Sequence, residues 1–178
     1  EMITQEELEL IVSEKNNQTI EQVLAAYLSE KHQTLAFAES CSGGYLSHLI
    51  TRLPGSSNYF KGSVVAYANE IKKRILHVPK HILSDEGAVS ETTVIHMAKN
   101  VRDLFQTDYS IAVSGIAGPA GGSREKPVGT VWIGLASEHK VETKCFHFGA
   151  LDRELIIRKT ALHALLLLIN LIKHIPNE

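Results

Sequence analysis

The sequence predicts an α/β fold in which helices cover both faces of a mostly parallel sheet. Short apolar runs alternate with segments of helical periodicity through most of the 178 residues, an order typical of β–α–β units. Near the C-terminal end the order changes, because residues 130–136 and 141–148 predict two strands that turn at Glu138-His139. A hairpin in such a sheet requires one antiparallel strand. We therefore expect a mixed sheet around one core.

The elements can be placed from apolar spacing and from the residues that begin or stop them. Residues 19–22, Thr-Ile-Glu-Gln, have the capping-box pattern, and Pro54-Gly55 stops the second helix. Ser90 and Asp152 are the predicted caps of the two long helices. In chain order we expect helix 19–28, strand 34–38, helix 46–53, strand 63–67, helix 69–76, helix 90–105, strand 109–113, the hairpin and helix 152–169.

Composition argues against several classes of protein. The net charge is -2, and the basic run Lys72-Lys73-Arg74 is short, so we expect no nucleic-acid partner. The apolar run 164–169 falls far short of the ~20 residues that a bilayer requires, so it predicts a core helix and no membrane association. Two cysteines far apart, Cys41 and Cys145, favour a reducing, cytoplasmic compartment.

The N-terminal residues are set apart from the predicted domain. Residues 4–7, Thr-Gln-Glu-Glu, form another capping-box pattern, and Asn16-Asn17 separates it from the helix that follows. We expect residues 1–18 to be an extension or linker remnant and residues 19–178 to be the domain. Because the sequence begins at Glu1, a missing upstream domain is a further expectation.

Three candidate nucleophiles follow the first strand, in the stretch Ser40-Cys41-Ser42-Gly43-Gly44. A strand that turns into a helix through two glycines exposes backbone N–H groups, which suit an anion or a developing oxyanion. A hydroxyl at such a turn can attack a carbonyl. Alternatively, Ser40 or Ser42 only caps the helix, and Cys41 is merely buried. The pattern by itself leaves both interpretations open.

A nucleophilic serine needs a base. No Ser-His-Asp arrangement stands out among the nine scattered histidines, and no Cys/His/Asp cluster has the spacing of a metal site, so no metal is expected. Lys72 is a candidate base because it follows the second strand at the same predicted sheet edge, where burial could lower its pKa. On pattern alone a solvated lysine is the favoured interpretation.

A second unusual loop, residues 114–122, follows the strand at 109–113. Its sequence, Ser-Gly-Ile-Ala-Gly-Pro-Ala-Gly-Gly, is rich in glycine, which lets backbone amides approach a ligand. It matches neither a phosphate-binding P-loop nor a dinucleotide fingerprint. The alternative is a long crossover before the hairpin.

At these residues the sequence resembles the CinA C-terminal domain family, also called PncC, the nicotinamide-nucleotide amidases. The resemblance runs from about residue 34 to residue 171. It rests on A-E-S-C-S-G-G (38–44), P-G-S-S (54–57), V-A-Y-A-N-E-I-K (65–72), G-A-V-S-E (87–91), S-G-I-A-G-P-A-G-G (114–122), E-K-P-V-G-T-V (125–131) and D-R (152–153). Residues 11–28 resemble the stretch that joins this domain to an upstream one in two-domain CinA proteins.

The resemblance implies a three-layer α/β/α sandwich, usually a homodimer, that hydrolyses the carboxamide of nicotinamide mononucleotide in NAD salvage. It implies a serine nucleophile, Ser40, and a lysine base, Lys72, without metal or other cofactor. Cys41, Gly43 and Gly44 are expected to shape the turn and offer N–H groups to an oxyanion, while Ser42 caps the helix. The expected substrate-binding residues are Tyr67, Asn69, Ser114, Gly115, Gly118, Gly121, Gly122 and Arg153, with the second loop and Arg153 holding the phosphate.

Two other functions fit the same residues. One is a non-catalytic binding or regulatory module that keeps the nucleotide pocket, since folds outlive functions. The paired Ser40 and Lys72 argue against it, because a binder needs neither. The other is an amidase for a different pyridine or amide substrate.

Overall fold

The computed structural model describes residues 18–174 of the chain. The six helices in this range are α1 (Ile20–Glu30), α2 (Tyr45–Thr51), α3 (Asn69–Arg74), α4 (Lys80–Asp85), α5 (Glu91–Phe105) and α6 (Arg153–His174). The five strands are β1 (Leu35–Glu39), β2 (Phe60–Val65), β3 (Tyr109–Gly115), β4 (Thr130–Ala136) and β5 (Val141–His147). A single 3-10 turn, Ser56–Asn58, precedes β2. The predicted boundary at residue 18 and the capping box at 4–7 concern residues that lie largely outside this range.

The five described strands form one open mixed sheet in the order β2-β1-β3-β4-β5. β1 pairs in parallel with both β2 and β3, whereas β4 runs antiparallel to both β3 and β5. Of these strands only β4 therefore runs against the rest. The predicted fold class, including its one antiparallel strand, is confirmed.

The sheet is covered on both faces, and the alternation of side chains along β1 shows how. Leu35 and Phe37 point into a large apolar cluster with α1, α2 and α6, whereas Ala36 and Ala38 point into a second cluster with α4 and α5. Successive side chains of a strand face opposite sides, so a fully buried run requires an apolar layer on each side. The structure is thus a three-layer α/β/α sandwich.

Small residues allow α5 to approach the sheet closely. The face of the sheet beneath it presents Ala36, Ala38, Ala112 and Gly134. A Cβ on Gly134 would lie 2.8 Å from the Val94 carbonyl oxygen of α5, so no larger residue fits without moving the helix. The predicted Ser90 cap is present, since its Oγ accepts the Thr93 N–H at 3.3 Å.

The C-terminal helix α6 is the longest described helix. Its 22 residues are long and apolar enough to cross a membrane by length and composition alone. In the structure α6 instead packs on β3, β4, α1 and α2, and ten of its residues are buried. This is the core-helix role that the sequence predicted. Asp152 caps it by accepting the Glu154 N–H at 2.9 Å.

Two local predictions were wrong. Strand β2 begins at Phe60, three residues before the predicted start, because Gly62 interrupts its apolar pattern. The helix α4 was not among the predicted elements, since proline is disfavoured inside a helix and Pro79 adjoins this segment. Pro79 instead stands immediately before α4, where a fixed φ and a missing N–H cost nothing.

The parallel pairing of β1, β2 and β3 positions the loops. Because their carboxyl ends lie at one edge of the sheet, the segments that follow them converge there. These segments contain Ser40, Lys72 and the second glycine loop, as expected from the sequence, although Ser114 and Gly115 of that predicted loop are the last two residues of β3.

Candidate active site

The turn after β1 holds Ser40 at the sheet edge. Its N–H donates to the Val113 carbonyl at 3.0 Å, which extends the β1–β3 pairing by one residue. The chain then reverses through Gly43 and Gly44, whose φ angles are +60° and +99°. Glycine adopts such positive φ angles at little energetic cost, which explains why two glycines stand here. The Ser40 side chain is thereby fixed above the ends of the strands.

Lys72 lies within hydrogen-bond reach of Ser40. It belongs to α3, and its side chain turns back under the β2–α3 connection, so the residue is only 1% exposed. Its Nζ is 2.9 Å from Ser40 Oγ, 2.7 Å from the Ala66 carbonyl oxygen and 3.2 Å from that of Tyr67. The structure therefore brings together the two residues that the sequence singled out, with the nitrogen buried and not in solvent.

Burial lowers the pKa of Lys72 to about 8 from an ordinary 10.5, since desolvation disfavours the charged form. The surroundings also suit a neutral amine. Its two protons can be donated to the Ala66 and Tyr67 carbonyls, which leaves the lone pair directed at the Ser40 hydroxyl. Such a lysine is equipped to take the proton of that hydroxyl near neutral pH.

Burial makes Cys41, the alternative nucleophile, less reactive. It is 6% exposed, and burial raises the pKa of its thiol to about 12. The reactive form of cysteine is the thiolate, which is scarce at any physiological pH under these conditions. The side chain of Cys41 therefore packs as a small apolar group, and Ser40 is the better nucleophile.

Glu39, the last residue of β1, was not predicted to have a role. Its carboxyl group is fully buried and accepts five hydrogen bonds. Two come from the Ser42 and Ser47 hydroxyls, and three come from the amides of Gly44, Leu46 and Ser47. Five donors around one carboxyl group suit its ionised form. The only sign of this role in the sequence is an acidic residue at the end of an apolar strand.

These contacts correct two expectations about the turn. Ser42 does not cap α2, because its hydroxyl donates to Glu39 and the residue at the cap position is Gly44. Gly43 and Gly44 shape the turn, but both of their N–H groups already have acceptors, the Ser40 carbonyl at 3.1 Å and Glu39 at 3.0 Å. The geometry therefore does not favour the second role expected for them, as oxyanion donors.

A small open cleft of about 200 Å³ lies over the Ser40–Lys72 pair. Six of the other predicted site residues line it, namely Cys41, Tyr67, Asn69, Ser114, Gly115 and Arg153. Arg153 spans its rim, donating to the Gly118 carbonyl at 2.7 Å and to the Tyr67 hydroxyl at 2.9 Å. One wall, Ala88 and Val89, was not predicted, although the stretch G-A-V-S-E was part of the resemblance.

The second glycine loop contributes less to the cleft than expected. Ser114 lines it, but its hydroxyl donates to the Ala88 carbonyl at 2.7 Å and so fixes the 88–89 wall. Gly118, Gly121 and Gly122 do not line the cleft, so a direct substrate contact is not supported for them. Gly122 is small because a Cβ would lie 2.8 Å from the Val128 amide nitrogen. Much of this glycine content therefore serves packing of the loop.

The described residues offer no obvious metal centre. Within 18–174, no group of three or more His, Cys, Asp or Glu side chains is arranged to hold a metal ion.

An open five-stranded mixed sheet between two helical layers, with a cleft at the carboxyl ends of its parallel strands, defines a class of α/β domain. The chain belongs within that class to the CinA C-terminal domain family, whose model matches residues 17–172.

Relatives and solved structures agree with this family assignment. A CinA-like protein from Cytophaga hutchinsonii is 51% identical over 144 residues, covering 81% of this chain and 34% of the relative. One from Thermosipho melanesiensis is 46% identical over 156 residues, covering 86% and 38%. The chain thus spans about a third of the length of the curated relatives it matches.

Two solved structures have nearly the same extent as this domain. The competence/damage inducible protein from Agrobacterium tumefaciens is 33% identical with a TM-score of 0.84, covering 85% of this chain and 93% of that one. The competence damage-inducible protein A from Klebsiella pneumoniae is 32% identical with a TM-score of 0.85, covering 88% and 97%.

Proposed function

We propose that this domain is a serine–lysine amidohydrolase that converts nicotinamide mononucleotide to nicotinate mononucleotide and ammonia. The observation that carries the proposal is the 2.9 Å contact between buried Lys72 Nζ and Ser40 Oγ. A binding module has no use for a desolvated lysine directed at a serine, because burying an ammonium group costs stability. Family membership supports the fold and the site position, and the substrate comes from the resemblance.

The first half of the reaction forms an acyl-enzyme. Neutral Lys72 accepts the Ser40 proton while Ser40 Oγ bonds to the carboxamide carbon. The carbon–nitrogen bond of the tetrahedral adduct then breaks, and the leaving nitrogen takes the proton from Lys72 and departs as ammonia. The N–H of Cys41, the residue after the nucleophile, is the proposed oxyanion donor, since the glycine amides are engaged elsewhere.

The second half returns the enzyme to its starting state. A water molecule gives a proton to Lys72 as its oxygen bonds to the acyl carbon. The ester bond to Ser40 then breaks, and Ser40 Oγ takes the proton back from Lys72. One water is consumed, and the products are ammonia and the nicotinate carboxylic acid, which ionises in water. No step needs a redox partner.

The cleft limits what can be bound. A volume of about 200 Å³ is below the ~300 Å³ at which typical ligand pockets begin, so it suits a ring carboxamide with the remainder of the ligand extending outward. Arg153 lies at the rim, where a planar guanidinium can meet a phosphate. Asn69, exposed at the first turn of α3, is a further polar group facing the cleft.

The test is ammonia release from nicotinamide mononucleotide, with nicotinamide and the intact dinucleotide as comparators. We expect turnover of the mononucleotide, identification of nicotinate mononucleotide as product, and retained activity after exhaustive chelation. Equal turnover of free nicotinamide would indicate another amidase specificity. Binding of the mononucleotide without turnover by the wild-type protein would favour the binding-module alternative.

A further inference from the structure

The buried carboxylate of Glu39 lies at the N-terminus of α2. It accepts the amides of Gly44, Leu46 and Ser47 at 3.0, 3.1 and 2.9 Å. The intervening Tyr45 N–H donates to the Ser42 carbonyl at 3.0 Å. The free N–H groups with which a helix begins are therefore used within the protein. The positive end of α2 faces Glu39 and not the cleft.

The same carboxylate links the elements that carry Ser40 and Lys72. Glu39 is the residue before Ser40, so any shift of its side chain acts on the nucleophile through one peptide bond. Ser47, which donates to Glu39 through both its amide and its hydroxyl, also hydrogen-bonds with the Ser63 hydroxyl of β2 at 2.8 Å. The chain leads from β2 to α3 and so to Lys72. One buried charge thus fastens β1, α2 and β2 together.

We infer that Glu39 is a positioning residue for the reaction proposed above, holding Ser40 Oγ at hydrogen-bonding distance from Lys72 Nζ. The inference rests on Ser40 and Lys72 being the reactive pair of the proposed function. Glu39 acts through the turn and the Ser47–Ser63 link and does not touch the substrate, because it is fully buried and absent from the lining of the cleft. A misplacement of about 1 Å can cost on the order of 10²-fold in rate.

The chain offers a matched control in Glu21. It too is a buried glutamate, 3% exposed, but it lies on α1 and pairs with Arg52, and neither residue lines the cleft. Glu39→Gln and Glu21→Gln each replace one buried carboxylate by an amide of the same shape. Both should lower the thermal midpoint, because both break charge-assisted contacts. Only the first should disturb the Ser40–Lys72 pair.

The experiment measures the rate at which a small sulfonyl fluoride modifies Ser40, together with kcat and KM for nicotinamide mononucleotide. For Glu39→Gln we expect the labelling rate and kcat to fall by about 10- to 100-fold, with KM changed by less than about threefold. For Glu21→Gln we expect both rates within about twofold of wild type. Ser47→Ala, which removes the link to Ser63 and keeps the carboxylate, should show a smaller fall of the same kind. It serves as the second variant if Glu39→Gln does not fold.

The labelling rates decide whether Glu39 positions Ser40. A wild-type labelling rate in Glu39→Gln, or in Ser47→Ala if only that variant folds, overturns the inference. An equal loss in Glu21→Gln also overturns it, because the effect would then be one of general stability. Absence of labelling in the wild type overturns it as well, since no activated serine would exist to be positioned. Labelling of wild-type Ser40 without ammonia release refutes the proposed substrate alone, and the inference then stands or falls on the labelling rates.

Discussion

The two ends of the sheet carry very different cavities, and the Ser40–Lys72 pair lies in the smaller one. At the carboxyl ends of β1, β2 and β3 the cleft measures about 200 Å³. At the opposite end, between the β4–β5 turn and the end of α6, a groove of about 860 Å³ is open to solvent. Cavity size alone would select the end of the sheet that lies opposite the Ser40–Lys72 pair.

The difference between the two ends lies in how their polar groups are held. The small cleft stands over a lysine that is 1% exposed and whose Nζ has three oxygen partners. The charged side chains of the large groove include Glu138, His139 and Lys140, which are 76%, 84% and 61% exposed. A buried, perturbed group directed at a nucleophile marks chemistry better than volume does. The following variants test that comparison.

The largest effect is expected at Ser40. Ser40→Ala removes the atom that bonds to the substrate, so kcat for nicotinamide mononucleotide should fall by at least about 10³-fold. The fold should be retained, as judged by circular dichroism and the thermal midpoint. Cys41→Ala is the neighbouring control and should keep activity within about tenfold, because its buried thiol stays protonated. The assignment is wrong if Cys41→Ala is the inactive variant and Ser40→Ala keeps its turnover.

Lys72 should show nearly as large an effect, and it adds a pH signature. Lys72→Met should abolish turnover, because no other base reaches Ser40 among the described contacts. In the wild type, the neutral amine is the active form. With the pKa of Lys72 near 8, kcat/KM should therefore rise with pH and level off above about 8. A profile that is flat from about pH 6 to about pH 10 would rule out Lys72 as the base.

The lowered pKa of Lys72 also makes the free energy of unfolding depend on pH. In the unfolded chain the pKa of Lys72 returns to about 10.5, and in the folded protein it is about 8. Between these values the unfolded state binds more protons, so rising pH stabilises the wild type relative to Lys72→Met. The difference between a pKa of 10.5 and one of about 8 corresponds to a change of about 3 kcal/mol in the free energy of unfolding. Urea unfolding of both proteins across this pH range measures it, and a constant difference would contradict the lowered pKa.

Arg153 should have a smaller effect that depends on the substrate. If its guanidinium holds the phosphate, Arg153→Ala should raise KM for nicotinamide mononucleotide by about tenfold or more and change kcat little. Nicotinamide riboside lacks the phosphate, so its KM should hardly respond. The alternative is that Arg153 only braces the rim through the Gly118 carbonyl and the Tyr67 hydroxyl. In that case both substrates would be affected equally.

The sequence was sufficient for the fold and for the placement of Ser40 and Lys72 side by side, for identifiable physical reasons. Apolar runs, caps and the hairpin signal are local, so the layers, the single antiparallel strand and the Ser90 and Asp152 caps followed from short stretches. Ser40 and Lys72 could be placed at one edge because parallel strands align their carboxyl ends. Choosing them over a capping serine and a solvated lysine required the resemblance.

What the sequence missed depends on contacts between distant segments. The role of Glu39 appears only when donors from α2 fold back on it, since nothing in an apolar strand indicates five partners for its last residue. The Ala88–Val89 wall is apolar and has no motif of its own. Gly121 and Gly122 were predicted to contact a ligand, but close packing against Val128 accounts for Gly122.

The smallest effect is expected at the large groove, and it completes the comparison of the two ends. Lys140 pairs with Glu142 there, and both side chains are substantially exposed. Such surface pairs contribute about 0–1 kcal/mol, so Lys140→Ala should change the free energy of unfolding by no more than that. Its kcat/KM should equal that of the wild type, because the groove lies at the far end of the strands from Ser40. Urea unfolding and ammonia release on the same preparation measure both quantities.

A fall of about tenfold in kcat/KM with unchanged stability would mean that the two ends are energetically coupled, by about 1.4 kcal/mol. The large groove would then be part of the functional machinery despite its solvated charges.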